Sequence, residues 1–210
     1  MKKLVLNNID CILLDGVDPN LSAKTINKVN SILGFRSIKL LTFQKPEVEL
    51  DSPIEFIQIR KLSYVEYATF CLKELKDYVN SDFCLTIQPD GYAYNPSKWD
   101  DKFLKYDYIG GCFWPGTLSN GARVGNSGFC IRSKKLLDRL SKTDIIHSGE
   151  NDDVVICQKY KSLLEGEGYK FASIEDAAQF SWSGDIPEFP VNRYTDVFGG
   201  HYQELLLEKK

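Results

Sequence analysis

The chain has no surplus of basic charge. Its 26 lysines and arginines face 29 aspartates and glutamates, a formal charge of −3. That removes any global electrostatic reason to bind nucleic acid or an anionic membrane, so phosphate recognition must be local. There is no C-x-x-C pair among the six cysteines (Cys11, Cys71, Cys84, Cys112, Cys130 and Cys157), and most of these sit inside apolar runs. A disulfide framework and a structural zinc site are both disfavoured. Small buried thiols in a reducing, cytoplasmic compartment are expected instead. There is no G-x-G-x-x-G phrase, which argues against a dinucleotide fold. There is no long hydrophobic run either. The apolar stretch after Met1-Lys2-Lys3 is short and broken by Asn7, Asn8 and Asp10, so it reads as neither a signal peptide nor a membrane span. Histidine is scarce: only His147 and His201. Internal repeats and low-complexity linkers are absent. At 210 residues the chain suffices for one domain with a sizeable core. The charged end Glu208-Lys209-Lys210 carries no stop signal of its own, which leaves room for further domains of a longer chain.

What is present alternates. Ile9–Asp15 is an apolar strand that runs into a turn at Asp15-Gly16-Val17-Asp18-Pro19-Asn20. Leu21, Ile26, Val29 and Leu33 recur at helical spacing, closed by Gly34. Strands follow over Ser37–Phe43 and Ile54–Ile59. A helix spans Tyr64–Val79, with Ser63 as its cap. A fourth strand, Phe83–Ile87, ends in Gln88-Pro89-Asp90-Gly91. This order predicts an α/β fold with helices on both faces of a sheet. The second half is less regular. It reads as a helix over Ser97–Tyr106, a strand over Tyr108–Phe113, a loop over Asn120–Gly128 and a short strand over Phe129–Arg132. Helices over Ser133–Leu140 and Asn151–Leu164 and a last strand over Gly168–Ala172 complete it. The tail from Ser181 carries Trp182, Phe189, Tyr194, Phe198 and Tyr202, too aromatic to stay solvated.

Several constellations carry chemistry. Asp90 stands at the C-terminal end of a buried strand, where open α/β sheets bind ligands. A carboxylate there, beside Gly91, suits a divalent cation and a phosphorylated substrate, although Asp-Gly is also ordinary turn chemistry. Val124-Gly125-Asn126-Ser127-Gly128 offers close backbone approach, with Asn126 and Ser127 as hydroxyl readers, or else a plain turn. Glu150, Asp152 and Asp153 place three carboxylates in four positions at a helix start, more than capping needs. One of them could act as a general base. His201 follows two glycines and could ligate a metal, though a lone histidine is more often a packing residue. Arg60-Lys61 could meet phosphate or ribose, or be a solvated pair. Phe113-Trp114-Pro115-Gly116 suits a sugar face or packing.

The order of these pieces resembles the GT-A glycosyltransferases, and more closely a family of small bacterial and viral GT-A-like domains. The phrases that carry the likeness are Tyr106–Gly110, Val124–Phe129 and Asp153–Cys157, and it extends from Asp10 to His201. The resemblance implies a single GT-A-like domain over residues 1–210, with a central, mixed but mostly parallel sheet flanked by helices. Residues 1–120 would form the nucleotide-binding half, and residues 121–210 the donor-sugar and acceptor half. It further implies a transferase that moves a hexose from a UDP-sugar, with UDP-glucose favoured, to a hydroxyl on a glycan or glycoprotein, with inversion. Mn²⁺ or Mg²⁺ would assist. The family's D-x-D motif falls on Gln88-Pro89-Asp90, so only Asp90 keeps a carboxylate, and His201 would complete the metal site. Asp15, Gly16, Arg60, Lys61, Ser63 and Tyr64 fall where uridine and ribose are held, with Asp90 and Gly91 at the diphosphate. Asn126 and Ser127 face the donor sugar, and Asp153, or Asp152, falls on the base. A nucleotidyltransferase acting on a sugar phosphate and a non-catalytic carbohydrate-binding module are the rival readings. The first usually shows a basic, glycine-rich loop where this chain has Asp15-Gly16-Val17-Asp18.

Overall fold

The computed structural model describes residues 3–201. Tyr202 and the Glu208–Lys210 end, like Met1 and Lys2, lie outside the described residues. In chain order the first half is β1 (Leu4–Asp15), α1 (Pro19–Ile32), β2 (Leu33–Thr42), β3 (Glu55–Gln58), α2 (Tyr64–Lys73), β4 (Phe83–Ile87) and β5 (Gly91–Ala93). The second half is β6 (Tyr108–Cys112), β7 (Val124–Ser133), α3 (Lys134–Leu140), α4 (Asp152–Val154), α5 (Lys161–Gly166), α6 (Ile174–Phe180), β8 (Ser181–Trp182) and β9 (Gly199–His201).

Six strands form one sheet in the order β3-β2-β1-β4-β7-β6. The first four run parallel; β7 is antiparallel to both β4 and β6. The mixed, mostly parallel α/β sheet expected from the sequence is therefore present. β1 lies at its centre, which explains its unbroken burial from Ile9 to Asp15. Successive side chains of β1 point to opposite faces. Ile9, Cys11 and Leu13 pack with Ala23, Ile26 and Val29 of α1. Ile12 and Leu14 pack with Phe70 and Cys71 of α2 and with Leu75 just beyond it. All six thiols are free and buried. No helix among the described residues is long and apolar enough to cross a membrane.

Local chemistry sets the helix starts. Asp18 caps α1 by accepting from the N–H groups of Asn20 and Leu21, with Pro19 at the first position. Ser63 and Glu66 form a reciprocal capping box at α2, as the Ser63 assignment anticipates. α2 then ends at Lys73, and Leu75–Tyr78 continue as a 3₁₀ turn.

The second half departs from expectation. The expected loop over Asn120–Gly128 and the strand over Phe129–Arg132 merge from Val124 onward into the ten-residue β7. Its pairing with β6 shifts register between Ile109 and Gly111, a bulge that re-aims side chains at the sheet rim. The expected helix over Ser97–Tyr106 is two 3₁₀ turns. The helix expected over Asn151–Leu164 is α4, a π-helical turn at Val155–Lys159, and α5. The strand expected over Gly168–Ala172 is reduced to a bridge between Phe171 and Tyr108. α6 was not foreseen. Neither was a second sheet, ordered β5-β9-β8, that folds the tail back over the end of β4. The aromatic tail is packed as its composition requires, with Phe198 fully buried among Phe103, Phe129 and Phe180.

Candidate functional site

β1, β2, β3, β4 and β6 end on the same sheet edge, and β7 begins there. Along this rim stand, in order, Gln58, Thr42, Asp15, Ile87, Val124 and Cys112. The sequence-derived candidates fall along it.

At the end of β1, Asp15 is buried and its carboxylate accepts from Val17 N at 2.9 Å, Asp18 N at 2.8 Å and Ser22 Oγ at 2.8 Å. These three bonds commit it to holding the turn into α1. A Cβ on Gly16 would lie 2.8 Å from the Leu62 carbonyl oxygen, so glycine lets the two rim loops touch. Arg60 forms a bidentate pair with Glu74, both bonds 2.7 Å, and Lys61 lies over the Phe43 ring at 5.0 Å. A ligand phosphate at Arg60 would compete with Glu74 for the guanidinium, both side chains being partly exposed. Ser63 is occupied by its cap. Tyr64, largely exposed, donates its hydroxyl to Asn151. Asn151 is the N-cap residue of α4 and makes no side-chain cap bond of its own, so α2 and the acidic helix start are tied together.

Asp90 and His201 meet at the end of β4. His201 Nε2 lies 3.0 Å from Asp90 Oδ1, and both side chains are mostly buried. The second sheet makes this contact, pairing Gly91 with His201 and Tyr92 with Gly200. Glycine is required on both sides. A Cβ on Gly91 would lie 2.7 Å from Ile87 Cγ2 and 2.8 Å from Gly128 O. A Cβ on Gly128 would lie 2.2 Å from the His201 ring. Gln88 is held elsewhere, its backbone N–H on Gly128 O at 2.9 Å and its amide toward the Tyr67 hydroxyl at 3.4 Å. Among the described residues no group of three or more His, Cys, Asp or Glu side chains is arranged to hold a metal. The donors are thus one carboxylate and one imidazole. The carboxylate matches the oxygen donors of a cation whose remaining positions belong to water and phosphate oxygens, while the imidazole is a donor better matched to a transition metal than to Mg²⁺. Two ligands on neighbouring positions of such an ion stand about 3 Å apart, which this pair matches.

The acidic helix start lies against β7 and separates its two candidates. Asp152 is buried in an ion pair with Arg132, itself fully buried, and Ser127 Oγ donates to it at 3.3 Å. Asp153 makes no ion pair among the described residues, and the Arg132 charge acts on it only as a lesser influence favouring ionisation. Burial, then the Asp152 charge, push its carboxyl up to about 6, against hydrogen bonds from the N–H groups of Val154 (2.7 Å) and Ser127 that favour ionisation. One carboxylate is locked by a guanidinium and its neighbour is tuned toward neutrality, the pattern of a proton-transfer residue beside a structural one. Asn126 is spent locally, its Oδ1 accepting from Gly128 N at 3.1 Å. His147 bonds Thr69 Oγ1 at 3.1 Å and is remote in role from His201.

β7 joins the two centres: Ser127 contacts both aspartates and Gly128 touches His201. The residue the sequence reading missed is Arg132. An arginine within the apolar run Phe129-Cys130-Ile131 was the available signal, since a charge in a buried strand demands a partner.

No curated protein matches the chain. Among solved structures, an active-site mutant of LgtC superposes with a TM-score of 0.52 at 15% identity, covering 92% of this chain and 87% of that one. The galactosyltransferase LgtC in complex with donor and acceptor sugar analogues gives 0.48 at 13% identity, with the same coverage. Apo GlyE, a glycosyltransferase of Streptococcus pneumoniae TIGR4, gives 0.45 at 12%, covering 80% of this chain and 45% of that one. At such identities the likeness concerns the fold alone: a six-stranded mixed sheet flanked by helices, as in a GT-A glycosyltransferase. Residues 55–201 match the model of a family described as a protein of unknown function, DUF5672, and the chain belongs to that family.

Proposed function

We propose that this protein is a metal-assisted glycosyltransferase that moves a hexose from a UDP-sugar, UDP-glucose being favoured, to a hydroxyl of a glycan or glycoprotein with inversion. The contact between Asp90 and His201 carries the reading, because a second sheet and two obligatory glycines exist to make it. These two side chains would hold Mn²⁺ or Mg²⁺. When bound, that ion would neutralise charge on a diphosphate leaving group. The two rim loops that meet at Gly16 and Leu62 would border the nucleoside, within residues 1–120. Ser127 and Asn126, in the half formed by residues 121–210, border the space for the donor sugar. Asp153 would take the proton from the acceptor hydroxyl, and Asp152 would hold the helix start through Arg132. General base catalysis of this kind contributes roughly 10²–10⁴-fold.

A thermal-shift panel of UDP, GDP, CMP and their sugars, with and without Mn²⁺, tests the proposal, since a ligand of the native state raises the melting temperature. UDP and a UDP-hexose are expected to do so only with the metal. A panel in which no nucleotide responds would defeat the reading. With nucleoside triphosphates and sugar phosphates added to the panel, a response to these alone would favour the nucleotidyltransferase.

A further inference from the structure

Beyond β6 the rim carries a feature the proposed chemistry has not used. A pocket of about 610 Å³ opens between the Trp114 loop and the segment after β8, lined by Trp114, Asp185, Ile186, Pro187, Pro190 and Asn192. We infer that it seats the acceptor glycan, with one pyranose ring lying on the Trp114 indole.

Trp114 is 60% exposed, although a tryptophan normally buries most of its surface. It lies two residues beyond the end of β6, on the same sheet edge as Asp90 and the start of β7. The walls are fixed in place. Arg123 donates from Nε to the Phe113 carbonyl at 2.9 Å and pairs its guanidinium with Glu188, tying the end of β6 to the segment after β8. Ser183 Oγ donates to the Cys112 carbonyl at 2.6 Å. Two prolines stiffen the far wall. An exposed indole sharing a pocket with a carboxylate and an amide, the Asp185 carboxylate also accepting from Trp182 Nε1 at 3.1 Å, suits a ligand with one apolar face and a hydroxyl-lined edge, which describes a pyranose. On its other side the pocket borders the second sheet. Asp185 and Asn192 line an adjoining cavity of about 390 Å³ together with Trp182, Arg193 and Tyr194. Trp182 pairs with Gly200, the neighbour of His201.

This inference rests on the transferase reading, and the two can fail separately. The whole chain, with UDP and Mn²⁺ present, is applied to a broad array of immobilised glycans as wild type, Trp114→Ala and Trp114→Phe, and each protein is also melted with and without UDP and Mn²⁺. Wild type and Trp114→Phe are expected to retain a common set of glycans, and Trp114→Ala to lose at least tenfold of that signal. The nucleotide-induced shift should be the same in all three, because Trp114 lies apart from the nucleotide loops. A nucleotide shift with no glycan retained, or retention unchanged in Trp114→Ala, overturns the pocket assignment and spares the transferase. Trp114-dependent retention without any nucleotide shift ends the transferase reading and the acceptor role with it, leaving a glycan-binding pocket.

Discussion

Replacing Asp153 by asparagine should make the protein more stable and less active. The carboxyl binds its proton more tightly in the native chain, titrating at about 6 instead of 3.8. The stability that the bound proton confers is complete below pH 3.8 and is lost as pH rises through about 6. At pH 7.5 the native state therefore carries an ionised, buried carboxylate at a cost of roughly 2–3 kcal/mol. Asparagine is close to isosteric, can still accept the Val154 N–H through its amide oxygen, and never ionises. In a chain of this length each kcal/mol moves the melting temperature by roughly 2–4 °C. Asp153→Asn should then melt roughly 5–10 °C above the wild type at pH 7.5, and at the same temperature as the wild type near pH 4. Differential scanning calorimetry of both proteins across that range provides the comparison. A loss of stability at pH 7.5, or a gain that stays constant from pH 4 to 7.5, would refute the burial argument. Transfer by the wild type should rise with pH through about 6 as the base ionises, and fall by roughly 10²–10⁴-fold in the variant.

Further outcomes follow from the same geometry. Asp90→Ala and His201→Ala should each remove Mn²⁺-dependent UDP binding, measured by titration calorimetry with and without the ion, while leaving the circular dichroism spectrum unchanged. Gly128→Ala should match His201→Ala in that assay, because a Cβ 2.2 Å from the imidazole must expel the ring; near-normal metal-dependent affinity would contradict the packing. Asp152→Asn should cost roughly 3–5 kcal/mol in urea denaturation at pH 7.5, since it strands the buried Arg132 charge. That sign is opposite to the one expected for Asp153→Asn, so the two neighbours are told apart by stability alone.

Much of the first half was legible because its signals are local. Ser63 caps its helix through bonds spanning three residues, and the apolar run of β1 reads as a strand, whereas Asp18-Pro19, read as turn, also starts α1 two residues earlier than expected. Asp90 could be placed at a strand end from the Pro-Asp-Gly turn alone. β7 could not be read to its full length, because Gly125, Asn126, Ser127 and Gly128 favour a loop by composition. They are held extended by β6 and by what packs against them, Phe113 and Cys157 at Gly125 and the His201 ring at Gly128. The single helix expected from Asn151 is interrupted by a π-helical turn over Val155–Lys159.

The sequence by itself determined the α/β class, the Ser63 cap, the thiol burial and the acid at the end of β4, since propensity, periodicity and turn chemistry act over a few residues. Only the tertiary structure decided that His201 reaches Asp90, that Arg60 is spent on Glu74, and that Asp152 is locked by Arg132 while Asp153 is left to titrate near 6. Each of these depends on which distant charge or ring lies within a few ångströms. Burial strengthens such contacts, and the order of residues along the chain does not specify them.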